Sequence, residues 1–396
     1  MVYNLFCRSF QTAAKLGMPM LGYKEPQVIE GSETQLAPII KSLGLRRVLL
    51  VTDSNLMALG LPNDLLKALE AAGIDCVVYS GTRVNPTIPN IEEAHALYKE
   101  RGCGGIVAFG GGSPMDCAKG AGILVARPGK SISQMRGLLK VLKKLPPLFA
   151  VPTTAGTGSE ATLAAVVTDP DTHEKYAVMD PFIVPKYAVL NPRLTLRLPP
   201  DLTATIGMDA LTHAVEAYIG RSNTKSTARL ALEATRLVFD WLETAHGDGA
   251  NLEARENMQL AAYKAGVAFT QAYVGNVHAI AHNLGGLYGV PHGLANAVIL
   301  PHVLGWYGAA AHKRLAKMAK AVGLSGENDA ELARGFIARI REMNARMGIP
   351  TSFDCIREED IPLIARRAMK EANPLYPVPK IMRREECETL VRGLMG

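Results

Sequence analysis

The apolar pattern of this chain changes once, and that change limits what it can fold into. Up to about residue 197, short apolar, β-branched runs alternate with helical segments. The runs are "RRVLLVTD" (46–53), "DCVVYSG" (75–81), "GGIVAFGGG" (104–112) and "PPLFAVPTT" (146–154). Helical stretches separate the earlier ones, including 90–102 and 113–126. Strands alternating with helices form βαβ units, and their unbroken apolar runs belong in a parallel sheet covered on both faces. "AAVVTDP" (164–170) and "KYAVMD" (175–180) read as a later hairpin, and "YAVLNP" (187–192) closes the region. Past "RLPPDL" (197–202) the pattern is helical almost throughout. Two domains are expected within the 396 residues: an α/β domain over 1–198 and an all-α domain over 199–396.

Composition excludes several classes. Hydrophobic residues make up 48% and charged residues 20%, an ordinary balance for a globular chain with a real core. The net charge of +6 is spread over short clusters such as "KVLKK" (140–144), with no basic stripe for nucleic acid. No run is long and apolar enough for a membrane span. Six cysteines without a C-x-x-C argue against a zinc ribbon or disulfide framework and point to a reducing, cytoplasmic setting. The first 22 residues lack acids, a faint likeness to a transit peptide, but their few basic residues favour an irregular N-terminal strand.

"VAFGGGSPMDCAKG" (107–120) joins a strand to a helix. Gly110, Gly111 and Gly112 allow positive φ and close ligand approach. Ser113 suits an N-cap, Pro114 the first helical position, and Asp116 the capping-box acid. A helix N-terminus behind glycines offers free N–H groups to a pyrophosphate, and three consecutive glycines exceed what capping needs. "PTTAGTGSE" (152–160) contains a G-x-G-x-x-A match, but strand-like sequence follows where that fingerprint needs a helix. Its hydroxyls still suit a ribose or phosphate. Asp53, ending the first clear strand, fits either a ribose hydroxyl, selecting NAD over NADP, or the N-cap of the next helix.

The helical half holds a group of acids and histidines. "GMDALTHAVEAY" (207–218) places Asp209 and His213 one turn apart on an apolar helix. A metal would satisfy both; so would a plain hydrogen bond. "NVHAIAHNLGGLYGVPHG" (276–293) adds His278 and His282 on one face and His292 beyond a Gly/Pro break. Five such groups exceed the protein ligands of one divalent ion that keeps a position open for substrate, so one has another task. His302, in "LPHVLGW", has no evident partner and reads as a core residue.

Together, "GGGSPMD", "PTTAGTGSE", "MDALTHAVEAY" and "HAIAHNLGGLYGVPHG" resemble the iron-containing (group III) alcohol dehydrogenase family, from about residue 22 onward. The resemblance implies a dinucleotide-binding α/β domain, an all-α metal domain and an active site in the cleft between them. It assigns the ion, Fe(II) or alternatively Zn(II), to Asp209, His213, His278 and His292. His282 then serves as a proton-relay or positioning residue. NAD contacts map to Gly111, Gly112, Ser113, Asp116, Thr153, Thr154, Thr157 and Lys175. Asn85 and Phe269 map to the nicotinamide and substrate end, and Asp53 to the NAD-selecting position. Members acting on diols often carry a polar residue where Ala164 stands here, which implies less polar primary alcohols or aldehydes as substrates. The expected partners are that small substrate and further copies of the chain, as a homodimer or larger homo-oligomer.

The implied chemistry is metal-assisted hydride transfer between a primary alcohol and NAD. Polyol dehydrogenases, lactaldehyde reductase and, more remotely, a dehydroquinate synthase-like lyase share the two-domain design, though His213 as a fourth ligand favours the alcohol dehydrogenase branch over the glycerol dehydrogenase and lyase readings. A metallohydrolase is weakened because Ala279 follows His278 where H-E-x-x-H needs Glu. A non-enzymatic binding module is disfavoured by the number of polar groups drawn to one site.

Overall fold

The computed structural model describes residues 2–17, 22–172 and 174–396. They form two compact units. One runs from Gly22 to Arg197; the other joins Leu198–Gly396 to the N-terminal helix Val2–Gly17.

Among the described residues of the first unit, nine strands form two sheets. They are β1 (Gln27–Glu30), β2 (Arg47–Val51), β3 (Asp75–Tyr79), β4 (Gly105–Gly110), β5 (Gly137–Leu138), β6 (Leu148–Pro152), β7 (Ala164–Asp169), β8 (Glu174–Met179) and β9 (Tyr187–Leu190). Six make an all-parallel sheet in the order β1-β9-β6-β4-β2-β3. β4 and β6 are buried along their whole length, which explains their unbroken apolar runs. Alternate side chains feed two cores: Leu49, Ile106, Leu148 and Ala150 on one face, Leu50, Val107, Phe109 and Phe149 on the other. β7 and β8 are antiparallel, and two-residue β5 completes the small sheet. β1, an edge strand of four residues, gave no clear signal in the sequence.

Strand order locates the ligand-binding edge. After β2 the chain moves outward to β3, then returns to β4 on the other side of β2 and continues to β6. The connections leaving β2 and β4 therefore diverge, and such a switch point opens a crevice at the carboxyl ends of the strands. Asp53 and the glycine turn both stand there, just past β2 and β4.

In the second unit, the buried helix Pro200–Ile219 is anchored near its start by Arg255. That guanidinium donates to Thr203 Oγ1 (2.7 Å) and to the Leu198 carbonyl (3.1 Å). The helix Asn276–Tyr288 stops at Gly289, whose φ of 69° lies in the left-handed region. Pro291 then leads into the helix His292–Tyr307. No helix among the described residues is long and apolar enough to cross a membrane.

The N-terminal segment departs from expectation. Residues 2–17 form a helix, not an irregular strand, and it groups with the helical unit rather than with the α/β domain drawn over 1–198. Tyr3, Phe6, Cys7 and Phe10 recur with the helical period. Cys7 and Gln11 are buried, and Arg8 donates to the carbonyls of Val378 (2.7 Å) and Pro379 (2.9 Å). Residues 18–21, the remainder of the expected strand, lie outside the described residues.

Candidate metal centre and cofactor turn

Three helices bring the metal candidates together. Pro200–Ile219 supplies Asp209 and His213, Asn276–Tyr288 supplies His278, and His292–Tyr307 supplies His292 from its first residue. One donor atom from each of the four lies within 4.8 Å of the others. Asp209 Oδ1 is 3.5 Å from His292 Nε2 and 4.0 Å from His278 Nε2. Ligands about 2.1 Å from a tetrahedral ion stand roughly 3.4 Å apart, so a small contraction would seat a divalent cation. The donor set also fits: three imidazoles and a carboxylate suit Fe(II) or Zn(II). Burial, with His213, His292 and His282 nearby, holds His278 well below the usual imidazole range, so it stays neutral with a lone pair to give.

Two further residues brace this set, and sequence reasoning missed both. Glu216 lies seven residues after Asp209 and three after His213, on the same helical face. Its carboxylate accepts from the Gly275 and Val277 amides (both 2.8 Å), and its Oε2 lies 2.7 Å from His278 Nδ1. With Nδ1–H donated to Glu216, His278 presents Nε2 to the other ligands, the carboxylate–histidine arrangement common behind metal ligands. Burial pushes the Glu216 carboxyl up to about 8, opposed by those same amides; a cation held on the far side of His278 would favour its ionised, accepting form. Asn296, one turn after His292, places its Nδ2 2.6 Å from Asp209 Oδ1 and 3.2 Å from both His278 Nε2 and His292 Nε2. The i, i+4 and i+7 spacings were visible, but Glu and Asn on a helix have too many ordinary uses to stand out.

His282 falls outside the four-residue group. Its ring stacks on His292 at 5.3 Å between centroids, while its Nδ1 lies 2.7 Å from Glu371 Oε1. Phe269 stacks on His213 with centroids 4.1 Å apart, walling the cluster with an aromatic face. His302 is half-buried on the same helix as His292, ten residues further on, and is not in the group.

The α/β unit holds the cofactor candidates. The helix after β4 begins at Gly112, with Gly111 as its N-cap. Ser113 and Asp116 are therefore two positions too deep to cap, contrary to expectation, and bond elsewhere. Ser113 Oγ accepts from the Asn85 amide (3.1 Å), and Asp116 Oδ1 accepts from Ser159 Oγ (3.1 Å). A Cβ at Gly111 would meet the Thr154 side chain at 3.0 Å, and one at Gly112 would meet Thr157 at 3.1 Å. The glycines thus let the hydroxyl loop lie against the exposed amides of the helix start. Thr153 ties that loop to the turn through its amide and the Gly110 carbonyl (3.1 Å). Asp53 caps the next helix, with one carboxylate oxygen accepting from the Leu56 amide (3.0 Å). Of the two open readings, the cap is present.

Asn85 adopts φ 57°, a left-handed conformation Asn tolerates better than most residues. Its Oδ1 accepts from Lys175 Nζ (2.6 Å), so β8 and the glycine-turn helix together hold the "VNPT" turn. Burial lowers Lys175 to about 8, opposed by Asp116, and raises Asp116 to about 6, opposed chiefly by Lys119. Ala164, at the start of β7, gives its carbonyl to Lys119 Nζ (2.8 Å). The sequence reading did not single out Lys119. It is 1% exposed and also donates to Ser159 and Thr162, which anchors the hydroxyl loop from beneath.

Comparison with known proteins identifies the family. Residues 27–192 match the model of the iron-containing alcohol dehydrogenases, and residues 203–395 match the C-terminal model of the Fe-containing alcohol dehydrogenase family. The chain is 42% identical to 1,3-propanediol dehydrogenase of Citrobacter freundii over 342 residues, covering 84% of this chain and 87% of that one. It is 36% identical to the NAD-dependent methanol dehydrogenase of Bacillus methanolicus over 345 residues, covering 86% and 90%. A crystal structure of 1,3-propanediol oxidoreductase superposes with a TM-score of 0.90 at 36% identity, covering 94% of this chain and 99% of the other.

Proposed function

Since this chain belongs to the iron-containing alcohol dehydrogenase family and is thereby an NAD-dependent, metal-containing alcohol dehydrogenase, we propose that it interconverts an unsubstituted primary alcohol and its aldehyde, with Asp209, His213, His278 and His292 holding the ion. The observation that carries the metal assignment is the convergence of these four donor atoms within 4.8 Å in one unit, with Asp209, His213 and His278 buried. When bound, the ion supplies Lewis acidity toward the substrate oxygen. Iron(II) is the metal of the family; zinc would also suit the set.

The protein's own groups supply position and proton handling. Phe269 packs the ring of His213. His282, outside the ligand group, handles the hydroxyl proton as the carbinol hydride passes to NAD. Gly111, Gly112 and Ser113 receive the pyrophosphate at the helix start, with Asp116 behind the turn. Thr153, Thr154 and Thr157 offer hydroxyl contacts to the cofactor, Asp53 a ribose contact, and Asn85 with Lys175 the nicotinamide end. Ala164 adds no polar group, which supports simple alcohols over diols. A diol substrate is the second reading, favoured by the relatives that bear the 1,3-propanediol name.

The reading extends to a cytoplasmic protein, supported by six free cysteines, and to a homo-oligomer, for which exposed Tyr3, Leu5, Phe6 and Phe10 offer an apolar surface. The deciding experiment compares kcat/KM for 1-butanol, 1,2-propanediol and 1,3-propanediol with NAD and NADP, using anaerobically iron- or zinc-loaded protein. We expect butanol with NAD to lead. A strong diol preference would refute the substrate class, and silence across all alcohols and aldehydes would refute the function.

A further inference from the structure

His282 is held by a carboxylate from the C-terminal part of the chain. Its Nδ1 lies 2.7 Å from Oε1 of Glu371, near the end of the helix Ile361–Ala372. The same oxygen accepts from the Tyr376 hydroxyl at 2.8 Å. Tyr376 is itself pinned. Its carbonyl accepts from Gln11 Nε2 of the N-terminal helix (2.7 Å), and the following Pro377 carbonyl accepts from the Arg221 amide (2.6 Å). Burial, with Glu371 beside it, pushes the Tyr376 phenol well above its usual range, so the hydroxyl remains a donor.

With the Tyr376 hydroxyl donating to it, the Glu371 oxygen is placed to accept from His282 as well. The two side chains are 19% and 28% exposed, so the pair is largely buried yet still reached by solvent. The contact orients the ring, and a carboxylate facing Nδ1 favours the tautomer with the proton there and the lone pair on Nε2.

We propose that Glu371 is a positioning residue for the reaction: by accepting Nδ1–H it fixes the tautomer and orientation of His282, and Tyr376 in turn fixes Glu371. The inference rests on the reading above, in which His282 serves the chemistry. In alcohol oxidation the O–H bond breaks and its proton passes to Nε2. The carbinol C–H bond breaks with its electron pair going to NAD, which becomes NADH, and the aldehyde remains. Reduction returns the same proton from Nε2 and the same hydride from NADH.

The test uses the full-length, metal-loaded protein with Glu371→Gln, Glu371→Asp, Tyr376→Phe and His282→Ala. Glu371→Gln keeps the shape but lets the amide present either a donor or an acceptor to Nδ1. It should retain metal and thermal stability, keep KM for 1-butanol within about twofold, and lose roughly 10- to 100-fold in kcat. Glu371→Asp should recover part of the loss, and Tyr376→Phe should show a smaller one. Nitrogen-15 NMR of the zinc-loaded wild type should show His282 protonated on Nδ1, with tautomers mixing in Glu371→Gln. Wild-type kcat in Glu371→Gln beside an impaired His282→Ala overturns the proposal alone, as does an Nε2-protonated His282 in the wild type. Full turnover in His282→Ala would overturn the role of His282 and the proposal with it. If the wild type oxidises no alcohol, the function fails while the NMR result still decides the tautomer.

Discussion

Replacing Lys119 with methionine tests whether one buried cation holds the cofactor loop. The ammonium lies within bonding distance of five oxygens: Ser159 O (2.8 Å), Ser159 Oγ (3.1 Å), Thr162 O (3.1 Å), Thr162 Oγ1 (2.7 Å) and Ala164 O (2.8 Å). Methionine has nearly the same length and no donor. The Thr162 hydroxyl stands 3.3 Å from both the Ser159 and Ala164 carbonyls, so it can rescue one of them. About two buried carbonyls are then left bare, at roughly 1–3 kcal/mol each. Asp116 and Glu160 also lose the cation that opposes their desolvation. A loss of about 4 kcal/mol is expected, which for a unit of this size lowers Tm by about 8 to 16 °C. Circular dichroism melting of the full-length protein reads it, and NAD titration should show at least about tenfold weaker binding as the hydroxyl loop slackens. A Tm shift under about 2 °C with unchanged NAD affinity would refute the idea that this lysine anchors the loop.

The same cluster predicts a pH signature. Burial raises Glu160 to about 7, above its unfolded value, so the folded state keeps a proton that the unfolded chain releases, and stability falls as pH rises from about 4.5 to 7. Burial lowers Lys119 to about 8, below its unfolded value, so the unfolded chain binds more protons above pH 8 and stability recovers toward pH 10. Urea midpoints across this range should show a larger alkaline recovery in wild type than in Lys119→Met, where Lys175, also lowered to about 8, still contributes; identical profiles would count against the assignment. Separately, a Cβ at Gly293 would stand 2.5 Å from the Thr205 carbonyl oxygen, a backbone atom one turn before Asp209. Gly293→Ala should push the two ligand-bearing helices apart and weaken metal retention against a chelator at least about tenfold; wild-type metal content would show that this close approach is unimportant.

How much the sequence disclosed depended on how few meanings each residue type allows. The apolar runs of β4 and β6 were legible because strands covered on both faces admit little else. β1 was not, since four residues at a sheet edge carry no period, and it is defined by pairing with β9, about 160 residues away in sequence. Asp209, His213, His278 and His292 stood out because acids and imidazoles in apolar helices demand an explanation. Their supports did not stand out. Glu216 and Asn296 look like ordinary helix residues until the fold places them against His278 and Asp209. Ser113 and Asp116 misled for a related reason. Their spacing is that of a capping box, but the glycine turn starts the helix at Gly112 and frees both side chains for Asn85 and Ser159. The N-terminal helix shows the limit most plainly. Its period was available in Tyr3, Phe6, Cys7 and Phe10, but what gives the helix its place is Arg8 and Gln11 bonding to carbonyls at 376–379. Backbone acceptors that distant leave no mark in the local pattern, yet through Tyr376 and Glu371 they connect the first turns of the chain to the ring of His282.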